Sequence, residues 1–537
     1  MLETIVGWLN EVVWSKPLVY GLLLTGVAFS LMSRFLQVRH FKEMIRLMFQ
    51  GEKSPTGISS FQAIALSLAG RVGTGNIVGV STAIFIGGPG AVFWMWATAF
   101  LGAGTAFIES ALGQIYKQEE DGEYRGGPAY YIEKGIKGKF GKVYGLVFAI
   151  VTIISVGLLL PGVQSNAIAS SMHNAFGIPA WVIAVVLVVV LALIIFGGVK
   201  WIAKVATAVV PFMAIIYILM AIVIIILNIQ EVPALFALIF KSAFGMEAAF
   251  GGIIGAMIEI GVKRGLYSNE AGQGTGPHAA AAAEVSHPAK QGLVQAFSVY
   301  VDTLFVCTAT ALIILISGTY NTTDGTVAAD GMPGLLKNSE IFVQNADGTK
   351  DYSGTAMYAQ AGIDKALQGS SYHFDPNFSG FGSYFIAIAL FFFAFTTILA
   401  YYYIAETNVS FLTNRIAKNQ NQLWRNVTRL VLIAATAYGA VKTADIAWAM
   451  GDLGVGLMAW LNIIAIWILY RPAMHALKDF ERQKKEKGTG KTAIYRPDPK
   501  EIPTATFWLE DYPKRLKEED IQPQRHKLDK IASNQAL

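Results

Sequence analysis

Apolar residues in this chain fall in long continuous runs, and the polar residues gather in short segments between them. Such runs fit neither the alternation of a half-buried strand nor the single stripe of a surface helix, and each one near 20 residues can cross a bilayer core as a helix. Eleven spans are predicted, over 18–38, 61–86, 91–116, 143–175, 180–196, 205–227, 243–262, 293–317, 384–412, 427–441 and 446–470. Span 4 is too long to stand upright, and Pro161 within it predicts a kink.

Span 2 is interrupted where it is expected to be most apolar, at Gly70-Arg-Val-Gly-Thr-Gly-Asn-Ile-Val-Gly79. Each glycine costs about 1 kcal/mol of helix stability relative to alanine, and backbone groups freed at bilayer depth must line a cavity or be buried in protein. Span 7 carries a second glycine cluster, Phe250-Gly-Gly-Ile-Ile-Gly255. An offset of five spans makes the two segments run in opposite directions, the pattern of two inverted five-helix repeats, spans 2–6 and 7–11, with span 1 as an extra. Close packing is the other reading, since Gly75 with Gly79 and Gly251 with Gly255 each form a GxxxG pair. Arg71, Thr74 and Asn76 turn span 2 towards a binding site, because packing gives no reason for them.

With 54% hydrophobic and 15% charged residues in 537, the chain reads as an all-α polytopic membrane protein. Its one cysteine, Cys307, lies in an apolar run, which excludes an intrachain disulfide and predicts a buried hydrophobe. No cleavable leader pattern precedes span 1, so that span is expected to be retained. Arg34, Arg39, Lys42, Arg46, Lys137, Lys139, Lys142, Lys200, Lys204, Arg415, Lys418, Arg425 and Arg429 all fall on one side of an eleven-span arrangement. That side is predicted to be cytoplasmic, with the N-terminus outside and the C-terminus inside. The chain then divides into an extra helix and cytoplasmic loop (1–60), a first repeat (61–230), a second repeat (231–470) holding an external loop at 318–383, and a cytoplasmic tail (471–537). Loop and tail are both expected to be solvated, the loop alternatively serving as a lid.

Other chemistries find little support. Neither Gly73-Thr-Gly75 nor Gly272-Gln-Gly-Thr-Gly276 sits in a βαβ unit or carries the ending of a phosphate loop, and the second is assigned to the cytoplasmic connection after span 7. His278 and His287 are expected in that connection and exposed to solvent. A channel predicts a continuous polar stripe through several helices, and no paired-carboxylate or His-Cys spacing suggests an enzyme. Nothing points to nucleic acid; the expected surroundings are lipid.

Gly87-Gly-Pro-Gly-Ala-Val-Phe-Trp-Met-Trp96, continuing to Gly102, closely resembles the signature of the sodium:alanine (alanine or glycine:cation) symporter family. Arg71 to Asn76 and the run Arg264-Gly-Leu-Tyr-Ser-Asn-Glu-Ala-Gly272 are similar to further family motifs. The resemblance covers spans 2–11 and implies a leucine-transporter-type fold, a bacterial or archaeal inner membrane, and sodium-coupled uptake of a small neutral amino acid such as alanine or glycine. Proton coupling, a larger neutral substrate such as glutamine, and an amino-acid sensor are the alternatives.

Site roles follow for the matching positions. A substrate carboxylate is placed against the backbone N–H groups of Gly73, Thr74 and Gly75, beside Asn76, at the positive end of the outer half-helix. Gln164 resembles a substrate-contacting glutamine of the family and is expected to accept from the ammonium; helix-to-helix bonding is its other reading. By resemblance to the fold, sodium is held by the carbonyls of Ala69, Val72 and Phe393 and the hydroxyls of Thr396 and Thr397; those hydroxyls can instead bond back to their own helix. Phe250, Ile253 and Met257 are candidates for the apolar wall, or for core packing. Tyr401 stands where the family carries a pocket tryptophan, which leaves room for a larger side chain. Arg71 calls for a carboxylate partner, with Glu109, Glu259, Asp302 and Glu406 available.

Overall fold

The computed structural model describes residues 2–49, 56–327, 333–344, 350–351, 356–369, 373, 380–416, 421–442, 444–488 and 493–516. The principal helices are α1 (Leu2–Val13), α2 (Lys16–Met32), α3 (Ser60–Arg71), α4 (Gly75–Gly87), α5 (Gly90–Ile115), α6 (Gly138–Phe176) and α7 (Ala180–Ile195). They continue with α8 (Gly198–Leu227), α9 (Ile254–Asn269), α10 (Gly276–Ala282), α11 (Pro288–Ser317), α12 (Phe381–Ile416), α13 (Asn421–Val441) and α14 (Ala444–Lys487).

Among the described residues, seven helical stretches are long and apolar enough to cross a membrane, the first running through α1 and α2 over Thr4–Met32, and the bent pair α3–α4 makes an eighth. Predicted spans 5, 7 and 10 coincide with shorter or more polar helices, α7, α9 and α13, which do not meet that measure alone. The core is the polar-studded interior of the bundle: α5 from Gly102 onward is buried throughout, as are Phe393 to Phe411 of α12. On α7 and α8, Trp181, Val189, Leu193, Phe212, Leu219 and Ile226 stay exposed, an apolar belt suited to lipid.

Local sequence explains the interruptions. A capping box starts α3, with the Gln62 N–H donating to Ser59 Oγ at 3.2 Å and the Ser59 N–H to Gln62 Oε1 at 2.9 Å. Val72 (φ −79°, ψ 87°) leaves the helix, and α4 resumes at Gly75 through a π-turn at 54° to α3. In α6 the proline effect appears as a π-turn, Ser155–Leu159, just ahead of Pro161.

The second interruption differs from expectation. Phe250 to Gly255 does not break a helix at mid-depth; it forms a 3₁₀ turn, Ala248–Ile253, leading into α9. The break comes after Asn269, where Glu270 (φ 55°), Gly272 (φ 94°) and Gly274 (φ 90°) turn the chain before α10. Gly272 to Gly276, between α9 and α10, is buried. Its polarity reads as a loop, yet the segment is enclosed, with the Thr275 hydroxyl donating to Glu270 Oε2 at 2.7 Å. His278 and His287 are likewise fully buried, not exposed. His278 contacts Asn408 Nδ2 through Nε2 at 2.9 Å, and His287 Nδ1 accepts the Ala289 N–H while its Nε2 faces Asp479 at 3.2 Å.

Both outlying segments fold back. Thr322 Oγ1 donates to the Ile84 carbonyl of α4 at 3.1 Å, and the helix Met357–Gln368 buries Tyr358 to Ile363 against α11 and α12. In the tail, Trp508 is buried and donates through Nε1 to the Gln114 carbonyl at 2.8 Å, while the Tyr495 N–H donates to the Ser286 carbonyl at 2.8 Å. Lys117 Nζ sits 4.2 Å and 4.4 Å over the rings of Tyr124 and Phe507.

Candidate functional site

The two breaks face each other. A Cβ built on Gly75 would lie 3.1 Å from Tyr267 Cδ1 and 3.3 Å from Ser268 Cα, and one on Gly70 would lie 3.4 Å from Glu270 Oε2. Main-chain interruption of α3–α4 thus packs directly on that of α9–α10, both wholly buried. Irregular backbone in such a place is tolerated because it is enclosed by protein.

The five oxygens expected to hold sodium come together at the first break. Thr397 Oγ1 lies 2.8 Å from the Ala69 carbonyl oxygen, 3.4 Å from that of Val72 and 3.0 Å from that of Phe393. Thr396 Oγ1 stands 3.0 Å from the same Phe393 oxygen and 2.9 Å from that of Phe392. Thr397 bonds across to α3 as well as back to α12, so self-satisfaction of the helix does not account for it. All donors are neutral oxygens, a set suited to a hard monovalent cation.

Gly73 separates this cluster from the neighbouring one. A Cβ there would fall 2.5 Å from Thr397 Oγ1 and 2.9 Å from Gln164 Oε1, so a larger residue would have to push both oxygens aside. Gln164 Oε1 accepts from the Thr74 N–H at 3.1 Å and from the Thr74 hydroxyl. The Gly73 N–H donates to Asn76 Oδ1 at 2.8 Å. Two backbone donors expected to meet a carboxylate therefore already meet side-chain oxygens, which mimic one.

Asn76 opens a further network that the sequence did not disclose. Its Nδ2 donates to Asp302 Oδ1 at 2.6 Å, while Ser268 and Thr303 hydroxyls each donate to Asp302 Oδ2 at 2.7 Å. Cys307, buried as expected, lies 3.1 Å from Ser268 Oγ. The family-like run at Arg264 to Gly272 was the available signal, but its assignment to a loop hid the contact. Arg264 pairs with Asp452 of α14 at 2.9 Å, both nearly buried, fixing the last turns of α9.

Three candidates are not brought to Gly73–Gly75. Phe250 packs against Gly88, Met257 against Gly87 and Gly90, and Ile253 beside Gly325. These lie at the far end of α4, about 18 Å along the helix from Gly75. Tyr401 sits one turn beyond Thr397 on α12, buried, with its hydroxyl beside the Glu270 carboxyl group.

Arg71 is fully enclosed, and its Nη1 donates to the Gln295 carbonyl at 3.2 Å and to Ser298 Oγ. Among the described residues no carboxylate pairs with it within 4.0 Å; Glu270, Glu109 and Asp302 act on it through space. Glu259 is exposed and Glu406 pairs with Arg125 at 3.0 Å and Arg425 at 2.9 Å, so neither is its partner.

Residues 1–338 and 353–494 match the profile described as the sodium:alanine symporter family. YrbD of Bacillus subtilis (strain 168), whose name places it among sodium/proton-dependent alanine carriers, is 56% identical over 94% of this chain and 98% of its own length. The sodium/proton-dependent alanine carrier protein of Bacillus sp. (strain PS3) is 50% identical over 87% and 98%. GlnT of Bacillus subtilis (strain 168), named for sodium/glutamine symport, is 41% identical over 93% and 94%.

Proposed function

Because the chain belongs to the sodium:alanine symporter family, we propose that it is a secondary symporter, not an enzyme, that imports alanine or glycine with sodium by alternating access. The observation that carries this is the Thr397 hydroxyl held between the Ala69 carbonyl of α3 and the Phe393 carbonyl of α12 at the α3–α4 break. Sodium occupies the oxygens of Ala69, Val72, Phe393, Thr396 and Thr397. The substrate carboxylate displaces Gln164 from the Thr74 N–H and takes the donors around Gly73, Thr74, Gly75 and Asn76, and the released Gln164 carbonyl accepts from the ammonium. One sodium crossing 100 mV supplies roughly 2.3 kcal/mol before its concentration gradient is counted.

In this reading α3 to α8 and α9 to α14 form two inverted repeats of five spans each, with α1–α2 as the extra N-terminal span. Breaks five spans apart and meeting face to face support it. The basic residues of the short loops support a plasma-membrane protein with its C-terminus in the cytoplasm and its N-terminus outside. The similarity to a protein named for glutamine symport, with Tyr401 in place of tryptophan, supports a larger neutral substrate as the second reading.

Equilibrium binding of labelled alanine to the purified protein tests the proposal. Sodium-dependent binding displaced more strongly by unlabelled alanine than by glutamine is expected; equal binding in choline and sodium contradicts it, and displacement by glutamine at lower concentration than by alanine moves the assignment to the second reading.

A further inference from the structure

Beside the proposed sodium site lies a second buried group of charges. Arg71 of α3 feels three enclosed carboxylates, Glu270 after α9, Glu109 of α5 and Asp302 of α11. Fully ionised, the group holds two more negative than positive charges, and excess buried charge of that kind is neutralised by a proton or a bound cation. Asp302 is provided for by its three donors, Asn76, Ser268 and Thr303. Glu109 accepts from Asn462 Nδ2 at 2.8 Å, and its Oε1 lacks a hydrogen-bond partner among the described residues.

Glu270 differs because it also borders free space. It is 2% exposed, its Oε2 accepts from the Thr275 hydroxyl at 2.7 Å, the Tyr401 hydroxyl stands beside the carboxyl, and no hydrogen bond among the described residues is directed at its Oε1. The carboxyl lines a cavity of ≈ 10 Å³ with Ser67, Gly70, Thr275, Gly276 and Ala400, and the buried Ser67 hydroxyl also lacks a partner among the described residues. That space suits about one water. Ser67, Glu270 and Thr275 bring too few oxygens for a sodium ion, since a hard cation gathers about six. A proton needs only the one open oxygen.

We propose that Glu270 is a proton-binding site of the transport cycle, set between the two helix breaks and separate from the sodium oxygens at Thr396 and Thr397. The proton arrives on Oε1 from the external side and leaves it to cytoplasmic water as alanine is delivered. Arg71, Glu109, Asp302, Tyr267 and Tyr401 are the titratable groups facing it. The inference rests on the symport reading above but carries its own readout.

The test uses the full-length chain in proteoliposomes with saturating sodium on both sides and a pH-sensitive dye inside. External alanine is expected to acidify the lumen with the wild type, and Glu270→Gln is expected to abolish that acidification. Folding of the variant is checked by the rise in thermal midpoint that sodium produces at the Thr397 site. Absence of acidification with the wild type overturns the proposal, as does wild-type acidification by Glu270→Gln. Radioactive sodium counting that finds two ions per alanine without acidification also overturns it. If Glu270→Gln shows no sodium stabilisation, Thr275→Val and Tyr401→Phe take its place, since both keep the carboxyl. A shifted pH dependence of uptake supports the site, and an unchanged one refutes it. Loss of sodium stimulation in the wild type contradicts the symport reading alone, because the dye still reports proton entry.

Discussion

Thr397 Oγ1 stands 2.8 Å from the Ala69 carbonyl oxygen, joining α12 to the carbonyl that the end of α3 leaves free. The same hydroxyl touches the Phe393 carbonyl at 3.0 Å, so one side chain senses both helices. Replacing it with valine keeps the shape and removes the oxygen. A hydrogen-bonding group to a charged partner contributes about 1.5–3 kcal/mol, so Thr397→Val is expected to weaken sodium roughly tenfold to a hundredfold. Sodium titration of alanine uptake measures it; an unchanged half-saturating concentration counts against the site.

Gly73→Ala is the sharpest steric test. Its Cβ would enter the space of both Thr397 Oγ1, 2.5 Å away, and Gln164 Oε1, 2.9 Å away. Loss of both sodium stimulation and alanine binding is expected, whereas Gly7→Ala, whose Cβ meets nothing within 4 Å, serves as the control and is expected to behave as the wild type.

Arg264 and Asp452 form a nearly buried pair that Lys263 joins at 2.7 Å. Removing one partner of such a pair costs about 3–5 kcal/mol through the charge left behind. Asp452→Asn is expected to lower the thermal midpoint and loosen α9 against α14; a melting curve identical to the wild type would deny the pair that role.

Much of the fold was legible in the sequence and part of it was not, for physical reasons. Long apolar runs located most helices because lipid demands them, and Thr396 with Thr397 were singled out by resemblance to the fold, their hydroxyls being the oxygens that a neutral cage around a cation needs. The break after Asn269 escaped notice because Ser268, Glu270 and Thr275 are polar, and polarity alone does not separate a solvated loop from an enclosed one. Phe250 to Gly255 misled in the opposite way: glycines there permit a 3₁₀ entry to α9 without marking a site. The tail's charge likewise concealed Trp508, whose ring is buried against the C-terminal end of α5.

That burial yields another expectation. Truncating a buried tryptophan costs about 3–5 kcal/mol, so Trp508→Ala is expected to destabilise the folded protein in a thermal-shift assay and to release the segment 493–516 to protease. Proteolysis at the wild-type rate would place the tail free of the bundle instead.

Uptake of labelled alanine into proteoliposomes, with external sodium replaced by choline at fixed pH, tests the central claim most directly. Uptake is expected to collapse in choline for the wild type and to be low in both media for Thr397→Val; full wild-type uptake in choline would contradict sodium coupling at the α3–α4 break.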